Sequence, residues 1–253
     1  MKRLLLTIMA VVSLCSCSVI GRVNWDADKI ASAAGKAITA ASISDAQIIQ
    51  LCQESIAALD QQNRIDNGDY IKRLRRLMQN VAIDGLPLNF KVYQTNEVNA
   101  FASGDGSIRV YSGLMDVMDD DELMAIIGHE IGHVVHQDTK NAMKKAYMAS
   151  AASDLIGAAG SVGAIAQATL GNIGEAFVSA QYSQQQEYKA DEYGFNFATR
   201  YGHSPYSMSN ALQKLVNLST GSQASKVAQM FASHPDSAAR ATRAKAMADN
   251  YQK

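Results

Sequence analysis

Residues Ala125 to Asp138 read AIIGHEIGHVVHQD. His129 and His133 stand four positions apart, with Glu130 beside the first. On a helix, positions i and i+4 share a face, so both imidazoles can offer one nitrogen to a single ion. Glu130 lies one step round the helix. It can reach a water on that ion but is not placed to be the third ligand itself. This is the HExxH arrangement of zinc sites. The stretch is otherwise apolar. Buried polar groups need partners there, and a metal supplies them.

A catalytic zinc needs a third protein ligand and an open position for water. The longer pattern HExxHxxGxxH requires His at position 139, where the chain has Thr139. His136 falls on nearly the same helical stripe and reads as a surface or outer histidine. Asp154, the first acid on the following helix, stands in a poor context for a ligand. The stretch SQQQEYKADEYG offers more. Glu187 and Asp191 are spaced i, i+4 on an expected helix, so Glu187 can ligate while Asp191 takes the N–H of a ligating imidazole. Such a bond fixes the ring's tautomer and orientation.

Before the motif, the pattern changes from helical to alternating. LNFKVY (Leu88 to Tyr93), EVNAFAS and SIRVYSG read as strands, and Gly104 to Gly106 (GDG) reads as a hairpin turn between the last two. Asp119 to Glu122 then open the HExxH helix, where acids suit the positive end of the helix dipole. Upstream, Ser44 and Gln47 form a capping box, with Ile43 against Ile48 as a staple, for a helix through Leu59. A second helix is expected at about Tyr70 to Val81. Downstream, helical turns are expected over Glu175 to Arg200, Pro205 to Leu218 and Asp236 to Tyr251. Residues 150–174 are Ala/Gly/Ser-rich with scattered polar residues. They read as a closely packed segment and a candidate cover for the site, not as a membrane span.

The chain has 253 residues, 47% of them hydrophobic and 19% charged, with a net charge of -1. This is globular composition, and nothing in it points to nucleic acid as a partner. The N-terminus reads as an address. Lys2 and Arg3 precede an apolar run from Leu4 to Leu14, too short to cross a bilayer and suited to a signal-peptide core. LCSC resembles the lipobox of bacterial lipoproteins, with Cys17 as the acylated residue. Residues 1–16 are then a signal peptide, 17–42 a lipidated tether and 43–253 the folded domain. Cys52 is left as a buried, unpaired thiol.

Taken together, the motifs resemble peptidase family M48, zinc metallopeptidases, over roughly Asp69 to Arg240. NAFASGDGSIRVYSGLMD resembles that family's hairpin, HEIGHVVHQD its zinc helix, EYKADEYG its third-ligand helix and SHPDSAAR its C-terminal His-Pro…Arg element. Within the family the chain is most similar to small periplasmic lipoprotein members. The resemblance implies an α+β, mainly helical, zincin-like fold with a small sheet and hairpin before the HExxH helix. It implies one Zn2+ per chain on His129, His133 and Glu187, with Glu130 as general base and then general acid and Asp191 behind a ligating histidine. His234 and Arg240 are implied near the site, one of them as an oxyanion donor. Asn99, Ala100, Phe101 and Ala102 are implied as the edge strand that pairs with a peptide substrate.

The expected function is a metalloendopeptidase on proteins of the bacterial cell envelope, misfolded or unassembled ones in particular. It would be lipid-anchored in the outer membrane and face the periplasm. The alternative is a zinc-bound envelope lipoprotein that acts chiefly as a binding or chaperone-like factor with a gated site.

Overall fold

The computed structural model describes residues 43–157 and 173–251. The signal peptide, Cys17, the tether and residues 158–172 of the candidate cover lie outside the described residues.

Helix α1 (Asp45–Gln62) starts at the capping box of Ser44 and Gln47 and buries Ile48, Leu51, Cys52, Ile56 and Leu59 on one side. Helix α2 (Asp69–Met78) buries Ile71, Leu74 and Met78. Three strands follow: β1 (Asn89–Tyr93), β2 (Ala100–Ala102) and β3 (Ser107–Tyr111). The hairpin forms as expected, with β2 antiparallel to β3. Gly106 closes its turn at φ +87, where a Cβ would stand 2.3 Å from the Pro87 carbonyl oxygen. β1 pairs parallel to β3, so the order is β1-β3-β2 and β2 ends the sheet among the described residues.

Two helical layers sandwich this sheet. Even-numbered strand residues (Val92, Ala100, Ala102, Ile108, Val110) join the main core with α2 and with α4 (Asp120–Val135). Odd-numbered ones (Tyr93, Phe101) join a second core with α1 and Met143. The short α3 (Ser112–Val117) leads into α4, and α5 (Asp138–Gly157) follows it. α4 is anchored at its start. Asp119 and Glu122 form a reciprocal cap, and Arg73 of α2 donates to Asp120 at 2.7 Å.

Past the undescribed stretch, residues 173–178 form a short helix, α6. The helix expected from Glu175 onward is therefore broken. The chain reopens as α7 (Gln184–Arg200) at Ser183, which makes a new capping box with Gln186. Then come α8 (Ser207–Ser219), a 3-10 turn (Ala224–Val227), α9 (Ala228–Ser233) and α10 (Ser237–Asp249). α4 and α7 pack against each other at glycines. A Cβ on Gly194 would lie 2.6 Å from the Ala125 carbonyl oxygen and 2.8 Å from the His129 nitrogen. One on Gly132 would lie 2.9 Å from Tyr193 Cβ. The mainly helical α+β fold is thus the one the motifs imply. Among the described residues, no helix is long and apolar enough to cross a membrane.

Candidate metal centre

α4 presents His129, Glu130 and His133 inward, and α7 presents Glu187 and Asp191 across the glycine contact. His234 arrives from the C-cap of α9, and Arg240 from the first turns of α10. All are buried, His133 and Glu187 completely. His129, His133, Glu187 and His234 each turn one donor atom to a common point, with these atoms within 4.8 Å of one another.

The two rings of the motif are fixed from behind. His129 Nδ1 lies 3.0 Å from Asp191 Oδ1 and His133 Nδ1 lies 3.1 Å from Asp138 Oδ2. Each Nδ1 therefore donates to a carboxylate, and each Nε2 faces the other ring, 3.1 Å away. Glu187 Oε1 is 3.3 Å from His133 Nε2, and His234 Nδ1 is 3.3 Å from His129 Nε2. Two lone pairs and a carboxylate converging in a dry space require positive charge between them. A tetrahedral ion with bonds of about 2.1 Å sets its donors about 3.4 Å apart, which the observed spacings fit.

The electrostatics follow from the same neighbours. Burial is the largest influence on His129 and takes its pKa down to about 4, against the pull of Asp191. Burial also opposes charge on His133, but hydrogen bonds to Asp138 and Glu187 outweigh it and hold that pKa up. Glu187 is buried, yet His234 and His133 hold its carboxyl far below the ordinary range. Burial raises Glu130 to about 7. Its Oε1 has no hydrogen-bond partner among the described residues, and His234 Nε2 stands 3.7 Å away. A buried, unsatisfied carboxylate that titrates near neutrality is suited to proton transfer.

Arg240 lies behind the donors. Its Nε and Nη2 reach both oxygens of Asp191 at 2.9 and 2.6 Å, and its Nη1 reaches Glu187. The whole guanidinium is spent on carboxylates, so none of it faces the centre as a free oxyanion donor. In β2, Tyr111 N–H donates to the Asn99 carbonyl and Ser103 N–H to that of Ser107. In an antiparallel pair this turns the Asn99 and Phe101 backbone toward β3, leaving that of Ala100 and Ala102 facing outward. The Ala100 N–H is held by Asn99 Oδ1, and the Ala102 N–H acts on Glu130.

Three participants were not singled out in the sequence. Asp138 orients His133 from the start of α5, after a turn at Gln137 with φ +63. Gln186 donates to Asp138 at 2.6 Å. Tyr182 stacks on the His133 ring, with centroids 3.9 Å apart and planes at 15°. The only signal for Asp138 was an acid just past the motif helix, and nothing local marked Tyr182. His136 caps α4, exposed, with its ring on Tyr193.

The chain is similar to known proteins. The model of Peptidase family M48 matches residues 64–248. The metalloprotease LoiP of Escherichia coli (strain K12) is 40% identical over 244 residues, 94% of each chain. The metalloprotease YcaL of the same organism is 36% identical over 221 residues, 85% of each chain. The beta-barrel assembly-enhancing protease of Yersinia pestis is 30% identical over 182 residues, 66% of this chain and 36% of that protein. With this extent of match, around a buried two-histidine, one-glutamate centre, the chain belongs to peptidase family M48 and is a metalloendopeptidase.

Proposed function

We propose that the protein is a zinc-dependent endopeptidase of the bacterial cell envelope that hydrolyses envelope proteins, especially misfolded or unassembled ones. The observation that carries this is the convergence of His129, His133 and Glu187 beside Glu130, whose Oε1 has no hydrogen-bond partner among the described residues. Zinc is the ion assigned to the centre, one per chain, and when bound it supplies a Lewis acid and lowers the pKa of water.

The chain's own groups do the rest. Asp191 and Asp138 keep the two imidazoles in the tautomer that leaves Nε2 free to ligate. Arg240 holds Glu187 and Asp191 in place and acts as a positioning residue, which leaves the expected oxyanion role to His234. The Ala100 and Ala102 carbonyls present hydrogen-bond acceptors to an extended peptide along β2, as edge strands do. Glu130 accepts a proton from the attacking water and returns it to the leaving amine. His234 Nε2, beside Glu130, is the nearest donor for the developing oxyanion.

Cys17 is proposed as the lipid anchor, placing the enzyme at the outer membrane and facing the periplasm. The name of the beta-barrel assembly-enhancing relative supports an envelope role.

A gated variant of this reading is favoured by His234. Its Nδ1 stands 3.1 Å from Glu187 Oε1 and belongs to the donor group, where it takes the place of an open fourth position. In that reading the site opens when His234 and the stacked Tyr182 withdraw.

The test is zinc content and casein cleavage for wild type beside Glu130→Gln. One zinc in both with cleavage by wild type alone supports the proposal. Cleavage by neither selects the gated, binding-factor reading. Equal cleavage by both removes Glu130 as the base.

A further inference from the structure

Three helices among the described residues open with a capping box: α1 with Ser44 and Gln47, α4 with Asp119 and Glu122, and α7 with Ser183 and Gln186. The box asks only for a side-chain oxygen that accepts from the N-cap N–H, which glutamate and glutamine both supply. What else that side chain meets separates the two. At α4 the other neighbour is a cation, Lys214, whose Nζ donates to the Glu122 carboxylate. At α7 the other neighbour is an anion. Gln186 Oε1 accepts from the Ser183 N–H at 2.9 Å, while its Nε2 donates to Asp138 Oδ1 at 2.6 Å. Only an oxygen can take the first bond and only an N–H the second, so the amide cannot turn round. A glutamate in this place would satisfy the cap and repel Asp138.

Asp138 is buried, and its other oxygen lies 3.1 Å from His133 Nδ1. A chain of hydrogen bonds therefore runs from the α7 cap through Gln186 and Asp138 to the His133 ring, whose Nε2 faces the other metal donors. The residue after Gln186 is Glu187, itself a donor, with Oε1 3.3 Å from His133 Nε2. One side chain thus helps to fix where α7 begins, and with it the phase at which Glu187 points inward. The same side chain holds the carboxylate that aims His133. Groups behind the ligands set ligand geometry and metal affinity in this way.

We propose that Gln186 is a positioning residue of the metal centre, whose amide ties the α7 cap to Asp138 and so holds His133 and Glu187 in register for one ion. The proposal rests on the zinc-peptidase reading of that centre. It assigns the N–H half of the amide a role that the cap does not require.

The test is the zinc affinity of the full-length protein at pH 8, read by competition with a chromogenic chelator. The variants are Gln186→Glu, Asp138→Asn and the two combined. Each single change should weaken binding about tenfold or more. Independent losses would multiply to about a hundredfold. The combined variant instead rebuilds the chain with its chemistry exchanged, since an amide at position 138 can accept from His133 and donate to a carboxylate at position 186. It should therefore bind zinc at least as tightly as Gln186→Glu alone, a recovery that damage to the fold does not produce. Wild-type affinity in Gln186→Glu would mean that only the cap oxygen matters and overturns the proposal. Losses that multiply in the combined variant overturn it as well. A wild type that takes up no zinc removes the metal centre itself, so the two ideas fail distinguishably.

Discussion

Two clusters of buried charge lie on opposite faces of the sheet, and they are finished to different degrees. On the α1 side, Asp60 accepts from Arg109 at 2.8 and 3.0 Å, from Lys91 at 2.6 Å and from the Tyr93 hydroxyl at 2.8 Å. Its pKa falls despite burial, because those donors outweigh desolvation. On the α4 side, two Nε2 atoms and Glu187 converge without a shared proton for each, and Glu130 Oε1 is left without a partner. A fully satisfied cluster fastens elements together. An incompletely satisfied one holds its groups ready for something that arrives.

This contrast sets the outcomes of substitution. Glu130→Gln should lower casein turnover about a thousandfold, the range of general acid–base catalysis, while leaving folding intact. Asp60→Ala should do the reverse. Leaving the buried Arg109 without its carboxylate costs about 3 kcal/mol of unfolding free energy in a urea titration, with turnover per folded molecule unchanged. If both variants lost stability equally, the distinction between the clusters would collapse.

A pH series sharpens it further. In metal-free protein, burial keeps Glu130 protonated up to about 7 against an ordinary value of 4.5. The unfolded chain releases that proton first, so the folded state loses stability as pH rises from about 4.5 to 7, and no more above. Glu130→Gln is free of this loss. Its thermal advantage over wild type should grow across that window, to at most about 3 kcal/mol. A gap that ignores pH counts against an unpaired carboxyl in the fold.

The smallest effect is expected at Asp138. Asp138→Asn keeps the volume and weakens the bond behind His133, so metal affinity in a chelator competition should fall about tenfold. Affinity equal to wild type would reduce Asp138 to packing.

What could be read from the chain divides along the same lines as distance in sequence. HExxH and the Glu187–Asp191 pair are i, i+4 relations within single helices, so spacing alone places each on one face. The hairpin was legible because its turn residues lie between its strands. The parallel pairing of β1 with β3 was not, since sheet neighbours there are not sequence neighbours. His234 and Arg240 came only through family resemblance. Tyr182 reaches His133 from a loop whose course is set by the Ser183 cap and by its N–H bond to the Ser233 carbonyl, 3.2 Å long. No local pattern encodes that meeting. The break between α6 and α7 has a local sign, the Ser183–Gln186 box, set inside a longer helical run.

The glycine contact between α4 and α7 has a thermodynamic consequence. With no side chain at Gly132 or Gly194 to act as a spacer, the two backbones are locked at one separation. The donors on α4 cannot part from Glu187 unless the helix pair itself comes apart. Metal binding and folding are therefore coupled, and bound ion stabilises the domain by mass action. A stronger chelator should lower the melting temperature of the whole domain in a single transition.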